Sequence, residues 1–95
     1  RGQSFLETFF GNTINANGLD AKTRFLVTIA GLASQPMMQV PPLKLAIESA
    51  RVAGANQQEI TEVIMQMSMF GGMPVTTQAL QAALEVFQEE DGKEE

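Results

Sequence analysis

Apolar residues recur at helical spacing along almost the whole chain. One set lies before residue 15, and a second follows Asp20, which is a candidate N-cap. The first set comprises Phe5, Leu6, Phe9, Phe10 and Ile14, and the second comprises Phe25, Leu26, Val27, Ile29, Ala30, Leu32 and Ala33. Each set predicts an α-helix. The second helix is apolar on so many sides that we expect it to lie at the centre of the fold.

The next two predicted helices are delimited by proline, glycine and a capping pattern. Pro41-Pro42 opens the third helix and Gly54 ends it. Asn56 and Glu59 have the spacing of a capping box, so a fourth helix should begin there. Its apolar side chains form two stripes, one of Ile60, Val63, Ile64, Met67 and Phe70 and the other of Met65 and Met69. Two apolar faces require two packing partners.

A fifth helix completes the predicted fold. Gly71-Gly72 ends the fourth helix, and Pro74 can open the fifth. Its buried face should consist of Ala79, Leu80, Ala83, Leu84 and Phe87. We expect the acidic tail, residues 89–95, to fray. Because no strand-like alternation occurs, the pattern predicts a single all-α domain over residues 1–95, with its core at about 19–88.

The composition favours a small domain that completes its core against copies of itself. The chain has 95 residues, of which 44% are apolar, enough for one core but not for a membrane protein. Small domains bury a lower share of their surface than large ones, so we expect self-association. The sequence contains no cysteine and no histidine, which excludes thiol and imidazole chemistry by its own side chains. Without cysteines for disulfides, the cytoplasm is the default compartment.

The charges argue against two classes of partner. Acidic residues number 11 against 6 basic ones, and the acidic residues are concentrated at the end of the chain. No basic stripe exists to neutralise phosphates, so we expect neither nucleic acid nor an anionic membrane as a partner. No apolar run reaches the roughly 18 to 20 residues that a membrane-spanning helix needs.

A few polar residues are candidates for chemistry, because a buried charge is costly unless it is paired. Arg24 opens the most apolar helix, where it could bind an acid substrate in a bidentate fork or form a structural ion pair with Glu62. The ion pair is the simpler interpretation. Glu59 is explained most simply as the capping residue, with catalysis as the alternative. Glu62 and Gln66 lie one turn apart beside the main apolar stripe, facing a pocket, an interface or solvent.

Other patterns predict structure rather than catalysis. Glu48 and Arg51 lie three residues apart and predict an exposed ion pair. Six methionines are present, but thioethers without histidine or cysteine bind metal poorly, and methionine commonly fills cores and interfaces. The dense carboxylate cluster is the tail, which is typical of a solvated charge run. We therefore predict no metal site and no cofactor.

Three segments of the chain resemble the carboxymuconolactone decarboxylase family, which also contains the alkylhydroperoxidase-D-like proteins. Residues 19–24 resemble the family's entry into its central helix, where an arginine is usual. Residues 50–63 resemble its helix-turn-helix pattern A-x-x-x-G-x-x-x-x-E-I-x-E-V. Residues 70–74 resemble its Y-x-G-x-P junction, with Phe70 in place of tyrosine.

The resemblance implies an alkylhydroperoxidase-D-like orthogonal bundle of about five helices with a helical hairpin. It also implies homo-oligomers, trimers or hexamers, with a pocket near the subunit contact. Family members with peroxidase activity carry C-x-x-C-x-x-x-H, and those positions correspond here to Gln39, Pro42 and Ala46. The glutamate that often follows the family's arginine is Phe25 here. None of these side chains can act as a thiolate nucleophile or a proton donor.

These observations support two functions. The first is a decarboxylase-like protein acting on a small carboxylated or lactone substrate, with Arg24, Gln66 and Phe70 as binding residues and Glu62 or Glu59 for acid-base catalysis. The alternative is a non-catalytic homo-oligomeric protein that scaffolds or binds a small acidic or apolar molecule. A peroxide-related role would require a partner protein to supply the thiol.

Overall fold

The computed structural model describes residues 17–94. The helices are α1 (Ala21–Ala33), α2 (Val40–Val52), α3 (Gln57–Gln66), α4 (Ser68–Gly71) and α5 (Met73–Glu94). Residues 17–94 contain no strand, which confirms the all-α prediction. The helix expected at residues 4–15 lies outside the described residues.

Helix α1 begins where the sequence predicted. The Asp20 carboxylate accepts a hydrogen bond from the Thr23 backbone N–H at 2.8 Å, which satisfies one of the N–H groups left open at a helix start. This hydrogen bonding holds the pKa of Asp20 below its usual value. Ile29 and Ala33 are buried, and α1 packs against α2, α3 and α5. Helix α1 thus contacts three other helices, although Val27 on its outer side is 57% exposed.

Helix α2 supplies one wall of the core. It begins at Val40, so both Pro41 and Pro42 lie in its first turn. Its buried residues are Leu43, Ala46, Ile47 and Ala50. Gly54 follows the C-cap of α2 and has a φ of 107°. This is a left-handed conformation that glycine adopts without steric cost.

The capping box at the start of α3 is present, but the predicted fourth helix is divided in two. Helix α3 ends at Gln66, and the single turn α4 follows. At the junction, the Met67 N–H bonds to the carbonyls of both Val63 and Ile64, a tightening that is common at helix ends. Ile64 is buried, whereas Phe70 is 73% exposed. The prediction that Phe70 belongs to the buried stripe was therefore wrong, because the break turns it away from the core.

Helix α5 is longer than predicted and its buried face differs. It continues to Glu94, well past the boundary expected near residue 88. Ala79, Ala83 and Phe87 are buried as predicted, but Leu84 is 49% exposed. Val75 and Val86 are buried in addition. Within residues 17–94, no helix is long and apolar enough to cross a membrane.

Candidate functional site

The residues predicted to form a site lie on three different helices. Arg24 belongs to α1, the side chains of Glu59, Glu62 and Gln66 project from α3, and Phe70 lies on α4. Spacings of three and four residues put the three polar side chains on roughly one side of α3. The position of Arg24 relative to that side decides whether they can act together.

A lysine, rather than Arg24, joins α1 to α3. Lys22 Nζ lies 3.0 Å from Glu59 Oε2. Two residues along an α-helix correspond to a rotation of about 200°, so Arg24 leaves α1 on the side opposite Lys22. The structure therefore does not bring Arg24 together with Glu59. Arg24 is half-buried, its Nε is shielded from solvent, and it takes part in an interaction within the protein.

Glu59 is held in its capping role. Its Oε1 accepts a hydrogen bond from the Asn56 backbone N–H at 2.9 Å, while the Asn56 side chain accepts one from the Glu59 N–H at 2.7 Å. The Asn56 backbone hydrogen bond, followed by the Lys22 ammonium, holds the pKa of Glu59 below its usual range. The carboxylate is therefore ionised at neutral pH, so it has no proton to give as a general acid. The capping interpretation from the sequence is confirmed.

Glu62, Gln66 and Phe70 are exposed on the surface. Glu62 Oε2 accepts a hydrogen bond from Gln58 Nε2 at 2.8 Å, and Gln66 Nε2 donates to the thioether sulfur of Met69 at 3.6 Å. All three side chains are accessible to a ligand or a partner. Within one chain, the described contacts do not enclose them in a pocket.

The ion pairs differ from those that the sequence suggested. Between residues 17 and 94, the pairs join Lys22 to Glu59, Lys44 to Glu85 and Arg51 to Glu90. The predicted pair of Arg51 with Glu48 is wrong, because Arg51 Nε lies 2.9 Å from Glu90 Oε2 and its Nη1 donates to the Ala55 carbonyl. The expected pair of Arg24 with Glu62 does not occur among them either.

Two clefts lie beside α5. Each is close to one of the two ion pairs that join α2 to α5. The first has a volume of about 640 Å³ and its lining includes the pair of Arg51 with Glu90. The second has a volume of about 560 Å³, and Met38, Val40 and Glu85 contribute to its lining. Sequence reasoning missed both clefts, because their walls come from segments about 40 residues apart. Neither is lined by any of the five predicted site residues.

The described residues do not contain a conventional metal site. No group of three or more carboxylates is arranged to hold an ion within residues 17–94. The carboxylates of Glu59, Glu85 and Glu90 are each bound to a cationic side chain instead.

Comparison with known sequences identifies the family. The sequence model of the carboxymuconolactone decarboxylase family matches residues 2–85. The chain belongs to this family. This confirms the resemblance found in the three sequence segments.

Two relatives show how far the similarity extends. The chain is 49% identical over 86 residues to an uncharacterized 15.0 kDa protein in the nqo9-nqo10 intergenic region of Paracoccus denitrificans. It is 31% identical over 88 residues to the 4-carboxymuconolactone decarboxylase of Acinetobacter baylyi. The alignments cover 90% and 92% of this chain but 64% of each relative. The chain therefore spans less than two thirds of the length of these two proteins.

The structure also places the positions that carry the reactive residues in peroxidase-active members of the carboxymuconolactone decarboxylase family. Gln39 precedes α2 as its N-cap, without a side-chain capping bond, and Pro42 is exposed in the first turn. Ala46 is buried in the core with 6% exposure, and Phe25 packs against the same core. In this family member, the methyl group of Ala46 and the ring of Phe25 therefore pack in or against the apolar interior.

Proposed function

We propose that this chain is a decarboxylase-like member of its family that binds a small carboxylated or lactone substrate through Arg24. The similarity to a 4-carboxymuconolactone decarboxylase over 92% of the chain supports the substrate class. The observation that carries the assignment is the placement of Arg24, a half-buried cation whose Nε is shielded from solvent. A guanidinium has five N–H donors in a planar fork, a geometry that matches a carboxylate.

The surface next to Arg24 suits a ligand that is partly apolar. Val27 and Thr28 follow at three and four residues, on the same side of α1, and both are exposed. The Thr28 hydroxyl bonds to the Arg24 carbonyl, which leaves its methyl group and Val27 as the outer surface. A carboxylate on Arg24 would thus have aliphatic neighbours for the rest of a small ring.

Decarboxylation requires a site for the carboxylate and a proton for the carbon that loses it. The bond between ring carbon and carboxyl carbon breaks, its electron pair passes into the conjugated lactone carbonyl, and a proton is added to the resulting carbanion equivalent. Glu59 is engaged in its cap by Asn56 and Lys22, so Glu62 is the carboxylate that we assign to positioning the water molecule that donates that proton. Glu62 is exposed to the solvent that supplies this water.

The proposed site lies at a contact between copies of the chain. Glu62 lies on the side of α3 that carries Glu59, whereas Arg24 leaves α1 about 200° from Lys22, the partner of Glu59. A second copy can bring an Arg24 and a Glu62 together. An exposed apolar surface supports such self-association as trimers or hexamers. We call this surface the methionine face; it consists of Met65, Met69, Phe70 and Met73, with exposures of 46%, 75%, 73% and 57%.

A second candidate function is a non-catalytic homo-oligomeric binding or scaffold protein. The burial of Ala46 and the engagement of Glu59 favour it, because both observations leave proton transfer to one exposed carboxylate. Binding of a carboxylated ligand at Arg24 is common to both candidates. Product formation separates them.

The test combines ligand binding with product detection. We expect 4-carboxymuconolactone to raise the thermal midpoint of the wild-type protein and to release carbon dioxide. Arg24→Ala should weaken binding by about ten- to a hundredfold, since a hydrogen bond to a charged group contributes about 1.5–3 kcal/mol. Arg24→Lys keeps the charge but loses the fork, so its binding should be intermediate.

The outcomes assign one candidate or reject both. Binding with carbon dioxide release supports the decarboxylase, and Glu62→Gln should then lower kcat more than it raises KM. Binding without release supports the non-catalytic protein. The same midpoint shift in wild type and Arg24→Ala, or no shift in either, would reject the Arg24 site.

A further inference from the structure

The second cleft, between the start of α2 and the outer side of α5, is independent of the Arg24 surface. We call it the α2–α5 cleft. Its volume is about 560 Å³, within the range of roughly 300–1,000 Å³ typical of small-molecule sites. Met38 and Ala82 are buried and give it an apolar floor, and Val40 lies at its edge. An apolar base with a few polar groups is the usual composition of a ligand pocket.

The polar groups of the cleft come from one stretch of α5. Thr77, Gln78 and Gln81 line it and are exposed. The only hydrogen bond of these side chains within residues 17–94 is a long contact of 3.4 Å from Gln81 to Glu85. Hydroxyl and carboxamide donors and acceptors are therefore available to a ligand.

The hydroxyl of Thr77 behaves differently from those of Thr28, Thr61 and Thr76. Thr28, Thr61 and Thr76 each donate to the backbone carbonyl four residues earlier, at 3.0, 2.9 and 3.0 Å. This back-bonding is the common arrangement for threonine inside a helix. No such bond forms from Thr77 within the described part of the chain, so its hydroxyl remains available at the wall of the cleft.

The charges at the cleft cancel. Glu85 lines it, and Lys44 Nζ lies 2.6 Å from Glu85 Oε1. This contact lowers the pKa of Glu85 and raises the pKa of Lys44, so both groups are charged at neutral pH and the pair is neutral overall. A ligand carboxylate would gain no uncompensated cation here and would lie close to the carboxylate of Glu85.

The start of α2 does not supply an anion site either. Helix starts attract anions through their free backbone N–H groups. Here Pro41 and Pro42 occupy the first turn and have no N–H, and the Leu43 N–H bonds to the Gln39 carbonyl. The local backbone therefore offers little to a negative charge, which favours a neutral ligand.

We propose that the α2–α5 cleft binds a small neutral molecule with an apolar ring and a carboxamide group. Thr77, Gln78 and Gln81 hydrogen-bond the polar group, while Met38 and Ala82 contact the ring. The site does not depend on Arg24 or on the proposed decarboxylase activity.

The test uses benzamide as the probe and benzoate as its charged counterpart of almost the same shape. Each is titrated into the complete chain, labelled for NMR at the amide groups and methionine methyl groups. Benzamide should cause saturable shifts of the Gln78 and Gln81 side-chain amides and of the Met38 methyl group. Benzoate should bind at least about tenfold more weakly, because its carboxylate lies near Glu85.

Variants assign the binding to the cleft. Thr77→Val with Gln81→Leu should weaken benzamide binding by about fivefold or more, as expected for the loss of hydrogen bonds. The matched control is Gln88→Leu, which changes an exposed glutamine of α5 that does not line the cleft. This control and Arg24→Ala should both leave benzamide binding unchanged.

Several results would overturn the proposal. They are the absence of saturable shifts, equal affinity for benzoate and benzamide, and an equal loss of binding in Gln88→Leu. The substituted side chains are exposed, so we expect the variants to fold. An unchanged thermal midpoint will verify this for each variant. Benzamide binding at the cleft and 4-carboxymuconolactone binding at Arg24 are measured separately. If one is observed and the other is not, the two proposals are distinguished.

Discussion

At the scale of single residues, Gly71 determines how closely two helices approach. A Cβ atom at this position would lie 2.7 Å from the Ser34 carbonyl oxygen and 2.8 Å from Val75 Cγ1. The first of these atoms belongs to the backbone at the end of α1, so it cannot move aside like a flexible side chain. Glycine at this position therefore lets α4 pack directly against the end of α1.

We expect Gly71→Ala to destabilise the protein by about 1–3 kcal/mol, the usual cost of overpacking. The matched control is Gly31→Ala in α1, where an added Cβ meets nothing within 4 Å. That substitution should instead stabilise by about 0.5–1 kcal/mol, because alanine loses less conformational freedom in a helix. Urea unfolding monitored by circular dichroism measures both. Equal effects at the two positions would contradict the close approach at Gly71.

Several residue roles could be predicted from the sequence and others could not. Asp20, Asn56 and Glu59 act within three residues of their partners, so their capping roles follow from local spacing. Arg51 instead pairs with Glu90, 39 residues further along the chain. The nearby Glu48 was the better candidate by spacing, but the packing of α2 against α5 determines the actual partner.

At the scale of elements, the start of α3 should respond to acid. The folded-state pKa of Glu59 is lowered from its ordinary value of 4.5, first by the Asn56 N–H and then by Lys22. A lowered pKa contributes stability that is fully present above the unfolded value and is lost as pH falls through the folded value. The capping box should therefore weaken below about pH 4.5 and not at neutral pH.

Glu59→Gln should reduce the loss of stability between pH 5 and about pH 2, because it removes this titration. It should also lower stability at pH 7, where the Lys22 ion pair is lost. Glu62→Gln is the control on the same helix, since Glu62 bonds only to Gln58 in the described structure. Chemical denaturation at a series of pH values measures the slopes. A slope for Glu59→Gln that equals that of the wild type would exclude this role of Glu59.

The boundaries of elements were harder to predict than their existence. The hydrophobic pattern located α1, α2, α3 and α5, because each has an apolar face that must be buried. The division of the fourth predicted helix at Met67 accompanies the close approach of Gly71 to Ser34. The extension of α5 past residue 88 accompanies the contact of Glu90 with Arg51. Both are tertiary contacts that no local pattern contains.

At the scale of the whole molecule, the methionine face should mediate self-association. Met69 and Phe70 are its most exposed members, at 75% and 73%. A charge buried between copies without a partner is costly, so Met69→Glu with Phe70→Glu should shift the protein to a smaller species. Light scattering after size-exclusion chromatography measures the mass. The control is Val52→Glu, which adds one charge at a side chain that is 90% exposed and lies outside this face.

If the wild-type protein is a monomer at micromolar concentration, the shared site and the methionine-face interface both fail. If Val52→Glu dissociates the protein as much as the double variant does, the interface lies elsewhere. The candidate site was only partly predictable, because it depends on how the helices are arranged in space. The sequence identified Arg24, Glu62 and Gln66 individually, but their separation on the surface of one chain follows from the arrangement of α1 and α3.

The burial of Ala46 limits how this protein could change over time. Its side chain has 6% exposure in a core shared with Leu43, Ile47 and Ala50. An imidazole ring introduced at this position would first have to displace its neighbours, at a cost of about 1–3 kcal/mol. Small domains have little stability to spare. A histidine could therefore be accommodated at this position only after other mutations make room for it, so the packed core opposes the gain of a reactive group there.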